Sequence, residues 1–252
     1  MKNSKITVLK SIIYDTTRLQ TTNNKVSVAK LIYIYLFNLR LANNKKLPTK
    51  RKIAQNLNID YRSVQQNLNL LISAGFLSVE NETYEIYYEN QTTKELTKID
   101  ETYLFSKEGN KKNNFYSNYC GYYIKAPQSI IFSDKLSANE KIYYLIFLDY
   151  FMKNGSLTNC YYPICHLSKL INDKTLARKT VYENFSKLRE KGFIKCDLIN
   201  YGHKANEKGF KNLTFFEKAE NEPEQQIEYF EEIEKEECKI DEDELLKLAM
   251  MC

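Results

Sequence analysis

The sequence predicts a mostly α fold with small β wings, an α+β chain made of two copies of one unit followed by an acidic C-terminal tail. Three observations predict it. One pattern of apolar and turn residues occurs twice, about 115 residues apart. Each copy passes from helical apolar spacing through a Gly-Phe step into short extended runs, the change expected from helix to hairpin. The charge also divides. From Glu217 to Cys252 there are 14 acidic residues and 4 Lys, a net of −10, whereas residues 1–216 carry a net of +15.

The elements follow in order. The first copy opens on Ile6-Thr-Val-Leu-Lys-Ser11-Ile12-Ile13-Tyr14 and the second on Ile124-Lys-Ala-Pro-Gln-Ser129-Ile130-Ile131-Phe132, at a constant offset of 118. Both read as extended segments. In the first copy Val28, Leu31, Ile32, Tyr35, Leu36 and Leu39 then fall on one face of a helix. In the second, Ser137-Ala138-Asn139-Glu140 is a capping box that opens a helix over Lys141–Phe151. Leu47-Pro48 and Tyr162-Pro163 each precede a short helix, Lys50–Asn58 and Ile164–Ile171.

The closest match comes next. Residues 63–77 and 180–194 share Val, Asn, Leu, Gly and Phe at identical places. Ser63 and Thr180 lie near a helix start. Gly75 and Gly192 lie just past its end, where a left-handed residue stops a helix. Hairpins follow: Leu77–Glu80 with Thr83–Tyr88 around Asn81-Glu82, and Ile194–Ile199 with Lys211–Phe216 around the loop Asn200–Phe210. Helix, short helix, longer helix and hairpin is the order of a winged helix-turn-helix domain. The expected organisation is therefore domain 1 at 1–90, a linker at 91–119, domain 2 at 120–218 and an acidic tail at 219–252, partly helical or disordered.

In a helix-turn-helix pair the second helix enters the major groove of duplex DNA. The sequence puts Val64, Leu68, Leu71 and Ile72 toward the core. Tyr61, Arg62, Ser63, Gln65, Gln66 and Asn69 then face out. Gln and Asn suit adenine edges, and Arg suits guanine or phosphate. In the second copy Val181, Phe185 and Leu188 turn inward, while Arg178, Lys179, Thr180, Tyr182, Glu183, Ser186 and Lys187 turn outward. Phosphate contacts are expected from Lys50, Arg51 and Lys52, from Lys169 and Lys174, and from the second wing through His203, Lys204, Lys208 and Lys211. The first wing carries Glu80 and Glu82, which repel phosphate, so only the second wing is expected to touch DNA. The copies carry equal net charge, +7 over residues 1–90 and +7 over residues 120–216. One chain could then cover two adjacent half-sites.

Composition narrows the classes. At 252 residues, 43% hydrophobic and 27% charged, the chain is neither collagen-like nor disordered throughout. No apolar run reaches the roughly 20 residues of a membrane helix, and no secretory signal is visible. A cytoplasmic location and no membrane partner are expected, with Cys120, Cys160, Cys165, Cys196, Cys238 and Cys252 as free thiols. No glycine loop for nucleotides is present. With only His166 and His203, a nucleophilic triad has little to draw on. Cys160, Cys165 and His166 lack a second ligand pair for zinc. The 20 Tyr residues read as packing residues. No enzyme activity, metal or cofactor is expected.

The run Tyr123–Phe132, continuing through Leu136-Ser-Ala-Asn-Glu-Lys141-Ile-Tyr-Tyr-Leu, resembles the N-terminal domain of RepA-type replication initiators of Gram-positive plasmids. It is also similar to the winged-helix part of phage replisome-organiser proteins. Thr180–Ile194 resembles their reading helix and turn. The resemblance covers about 95 residues of the second copy and is fainter in the first. It implies sequence-specific binding to double-stranded DNA at origin repeats, with the tail engaging a replication or transcription protein. This chain departs from the pattern by duplicating the domain. The residues leave open a transcriptional regulator, a conjugation accessory and a protein-docking inhibitor built on the same folds. The oligomeric state is also left open.

Overall fold

The computed structural model describes residues 5–15, 18–19, 26–42, 44, 46–89, 95–98, 123–153, 162–163, 178–200 and 208–216. All of them belong to one compact unit, Met1–Glu222. The architecture is mixed α+β, with seven helices and small antiparallel sheets among the described residues.

The run read as extended at the start of each copy divides in two. Lys5–Leu9 forms β1 and Lys10–Ile13 a one-turn helix α1. In the second copy Tyr123–Pro127 forms β5 and Gln128–Phe132 forms α5. β1 and β5 pair with each other, antiparallel, with Thr7 opposite Lys125 at the centre. The Lys125 ammonium donates to Thr7 Oγ1 at 2.6 Å. The copies are therefore joined by a shared sheet.

The central helices are α2, Val26–Leu41, and α6, Ala138–Lys153. The sequence assigned α2 one apolar face, yet every residue from Ala29 to Phe37 is buried. A helix buried all round sits inside a core rather than on it, and α2 packs against both α6 and β1. Each large apolar side chain so buried contributes about 1.5–3 kcal/mol. The capping box forms as expected: the Ser137 N–H donates to Glu140 Oε2 at 2.7 Å, and the Glu140 N–H donates to Ser137 Oγ at 3.3 Å.

The remaining elements of the first copy are α3, Lys50–Leu57, α4, Tyr61–Ser73, and the strands β2, Leu77–Glu80, and β3, Thr83–Glu89. Leu96–Lys98, expected within the linker, instead forms β4 on the free edge of β3. In the second copy β6, Tyr162–Pro163, precedes α7, Arg178–Glu190, and the strands β7, Ile194–Asn200, and β8, Lys208–Phe215. β8 starts three residues before the expected Lys211, because Lys208 pairs with Asn200 and prolongs the ladder. The short helix expected at Ile164–Ile171, with Lys169, Lys174, Cys160, Cys165 and His166, lies outside the described residues. So do His203, Lys204 and the acidic tail.

α4 and α7 end alike. The Gly75 N–H donates to Ile72 O and the Phe76 N–H to Leu71 O; Gly192 donates to Arg189 O and Phe193 to Leu188 O. This is the Schellman stop, and it needs a left-handed residue, which Gly75 (φ 78°) and Gly192 (φ 76°) supply. A Cβ on Gly75 would also meet Leu96 Cδ1 at 2.8 Å. Tyrosine hydroxyls fasten the hairpins to the central helices: Tyr33 donates to Tyr87 O, Tyr84 to Leu36 O and Tyr144 to Phe216 O. Among the described residues no helix is long and apolar enough to cross a membrane.

Candidate nucleic-acid interface

α4 begins at Asp60, whose carboxylate accepts from the Ser63 N–H at 2.8 Å. Its sides then separate cleanly. Tyr61, Arg62, Gln65, Gln66, Asn69, Ile72 and Ser73 are exposed, and Ser63, Val64, Asn67, Leu68 and Leu71 are buried. At about 100° per residue the exposed set spans one continuous arc of roughly 140°. Two assignments need correcting. Ser63 is 8% exposed and faces inward, because it shares the buried side with Asn67. Ile72, expected in the core, is 44% exposed, because its position one turn beyond Asn69 returns it to the outer arc.

Asn67 and Asn184 explain one identity between the copies. Each is buried, and each donates its amide to the carbonyl four residues back, Ser63 O or Thr180 O, at 2.8 Å. The matching Asn was visible in the sequence, but its type alone did not distinguish a surface reader from a buried clamp.

α3 stands beside α4. Thr49 Oγ1 caps it by accepting from the Lys52 N–H at 3.2 Å. Lys50 and Arg51 are exposed and Lys52 is half-buried, so three cations occupy its first turn, with no acidic residue among them. That placement opposes the helix dipole, whose N-terminal end is positive. An anion at this end would reverse the cost, since free N–H groups and cations would then act together. An open groove of about 880 Å³ runs past Thr49, Lys50, Arg51, Ala54, Gln55 and Tyr61. The structure thus brings Lys50, Arg51 and Tyr61 together and adds Thr49 and Gln55, which the sequence reading missed. The capping position of Thr49 and the one-turn spacing of Arg51 and Gln55 were the available signals.

In the second copy Thr180 and Ser186 are half-buried, and Glu183 and Lys187 are exposed. Arg178, Lys179 and Tyr182 occupy the first turns of α7, and Lys208 and Lys211 lie on β8 opposite Asn200 and Asp197. Beyond α7, the Lys191 ammonium donates to Lys135 O at 2.8 Å and to Glu140 Oε2 at 2.9 Å. Burial alone would push the Glu140 carboxyl up; hydrogen bonds from Lys191 and Ser137 outweigh it and hold the group below its ordinary value. Lys191 is thereby tied to the α6 capping box.

The first wing is a tight two-residue turn. Asn81 (φ 46°) and Glu82 (φ 63°) are both left-handed, as a type I′ hairpin requires. Its tip is held against the segment before α3: the Leu47 N–H donates to Glu82 O at 2.8 Å, and Lys46 bridges to Thr83. No protein-family model, curated protein sequence or solved structure matches this chain.

Proposed function

We propose that this chain is a non-enzymatic, sequence-specific double-stranded DNA-binding protein built from two winged helix-turn-helix domains, α4 and α7 being the reading helices. The observation that carries the reading is the three-cation first turn of α3 beside the polar arc of α4. A helix start loaded with Lys and Arg suits a phosphate, and the adjoining Arg62, Gln65, Gln66 and Asn69 suit base edges. The role we favour is initiation of plasmid or phage replication at origin repeats. It rests on the resemblance of the second copy to RepA-type initiators and replisome organisers, with the acidic tail as a contact for another replication protein.

The test is the affinity of the full chain for a duplex selected from a random pool, measured over a range of salt concentrations. Replacing Lys50 and Arg51 together with Ala should weaken binding to all duplexes alike. The slope of log affinity against log salt should fall by about 2, since each lost phosphate contact removes roughly 0.9. An unchanged slope would detach the α3 groove from DNA. A second reading, docking of a protein on the α4 face, is favoured by the exposure of Tyr61 (54%) and Ile72 (44%) on that arc. Absence of saturable duplex binding would move it forward.

A further inference from the structure

Two equivalent units on one chain can be related by translation or by rotation, and the relation fixes the orientation of any repeated site they read. The strand register settles it here. The repeat offset of 118 makes Thr7 the counterpart of Lys125. These two residues are direct partners at the centre of the antiparallel β1–β5 pair. The local two-fold axis of that pair therefore carries Ile6 onto Ile124 and Val8 onto Ala126, each residue onto its own repeat equivalent. A ladder slipped by one residue would not.

The packing around it is reciprocal. α2 and α6 are both 16 residues long and pack against each other. Their first turns meet, Ser27 donating to Asn139 Oδ1 at 2.6 Å; the counterparts of these two residues are Ala138 and Val28, so the contact lies beside the two-fold. α1 of the first copy reaches α6 through Lys10 and Asp149 at 2.7 Å. α5 of the second reaches α2 through the ring of Phe132 against Tyr35, 6.0 Å between centroids. Each short helix thus seats on the other copy's central helix, the arrangement of a two-fold isologous interface. Within each copy the reading helix packs on its own central helix, α4 on α2 and α7 on α6, so the rotation extends to the reading helices.

Resting on the DNA-binding reading above, we infer that one chain, acting alone, reads two half-sites in inverted orientation and of different sequence. Inversion follows from the two-fold, since reading helices so related meet the duplex from opposite directions. The difference follows from the exposed face of α4. Tyr61, Arg62, Gln65, Gln66 and Asn69 stand where the second copy has Arg178, Lys179, Tyr182, Glu183 and Ser186. The chain is thus the covalent equivalent of a homodimer whose halves have diverged in what they read.

The experiment is selection of bound duplexes from a random pool by the full chain. The expected motif is an inverted pair of unlike half-sites, and reversing one half within the winning duplex should cost on the order of 100-fold in affinity. A second selection uses the variant Tyr61→Arg, Arg62→Lys, Gln65→Tyr, Gln66→Glu, Asn69→Ser. All five positions are exposed, and an unfolding midpoint matching the parent establishes that it is folded. Its motif should become a palindrome. A direct repeat, or a single half-site from the parent chain, overturns the inverted-pair inference and leaves DNA binding standing. No enriched motif overturns the DNA-binding reading itself.

Discussion

The two copies seat their short helices by different chemistry. At α1, Lys10 and Tyr14 converge on Asp149, with the Lys10 side chain 8% and the Asp149 side chain 2% exposed. The Tyr14 hydroxyl, donating at 2.8 Å, is pushed far above its ordinary range by burial and then by that carboxylate. At α5 the counterparts of Lys10 and Tyr14 are Gln128 and Phe132, and the counterpart of Asp149 is Asn38, which bonds the Thr7 backbone of β1 instead. One seat is ionic and the other aromatic, yet both hold a one-turn helix against the opposite central helix. Backbone pairing through β1 and β5 sets the relation between the copies, and the side chains have been free to diverge within it.

The largest test of that contrast removes one partner of the ionic seat. Asp149→Ala leaves a buried ammonium without its carboxylate and should cost about 3–5 kcal/mol. Urea unfolding of the full chain measures it. Lys10→Met combined with Tyr14→Phe and Asp149→Leu should recover most of the loss, because three apolar groups need no pairing. Phe132→Leu in the aromatic seat should cost under about 1.5 kcal/mol. Equal losses at the two seats would show that charge adds nothing particular to the first.

A smaller effect sharpens the comparison through pH. Lys141, 1% exposed, donates to Leu57 O at 3.1 Å, from the second copy's central helix to the end of α3 in the first. Burial pushes its ammonium down to about 8, with Asp134 partly opposing. Between pH 8 and 10 the unfolded chain keeps this proton while the fold releases it. Unfolding free energy should therefore rise with pH through that window, by up to about 1.4 kcal/mol per unit. The gain is lost again as pH falls through 8. In Lys141→Met the rise should vanish. If the rise persists there, it comes from another group.

Much of this arrangement was legible in the sequence, for identifiable reasons. Helix stops at Gly75 and Gly192 and the cap at Ser137 are local, so a few neighbouring residues specify them. The β1–β5 ladder is not local: Lys5–Leu9 reads as extended, but its partner lies 118 residues away and nothing in its own pattern names it. The burial of α2 was half legible. Ile34 and Phe37 lie off the stripe that ends at Leu39, and an apolar helix with no polar side needs cover on two flanks. Ser63 and Ile72 were misplaced because residue type was allowed to outweigh helical angle. α7 was legible as a helix from its match to α4, since Arg178, Lys179 and Glu183 carry no apolar signal of their own.

The smallest effect concerns the two hairpins, which differ in length and charge. The first is a two-residue turn with acidic flanks; the second joins longer arms, with Lys208 and Lys211 on its return strand. Glu82 holds a left-handed backbone (φ 63°) that costs a side-chain-bearing residue about 1–2 kcal/mol. Glycine avoids that cost but loses more entropy on folding. Glu82→Gly should therefore stabilise the chain by a net of about 0.5–1 kcal/mol, and a thermal melt should rise by roughly 1–4 °C. Its carbonyl contact with Leu47 survives because it is made by the backbone. The same variant removes a carboxylate from the wing tip, so it also reports where that tip lies. Affinity for the selected duplex should stay unchanged if only the second wing touches DNA. A rise in affinity that weakens with salt would place the first wing beside phosphate as well, and the contrast between the wings would then be one of sequence and not of use.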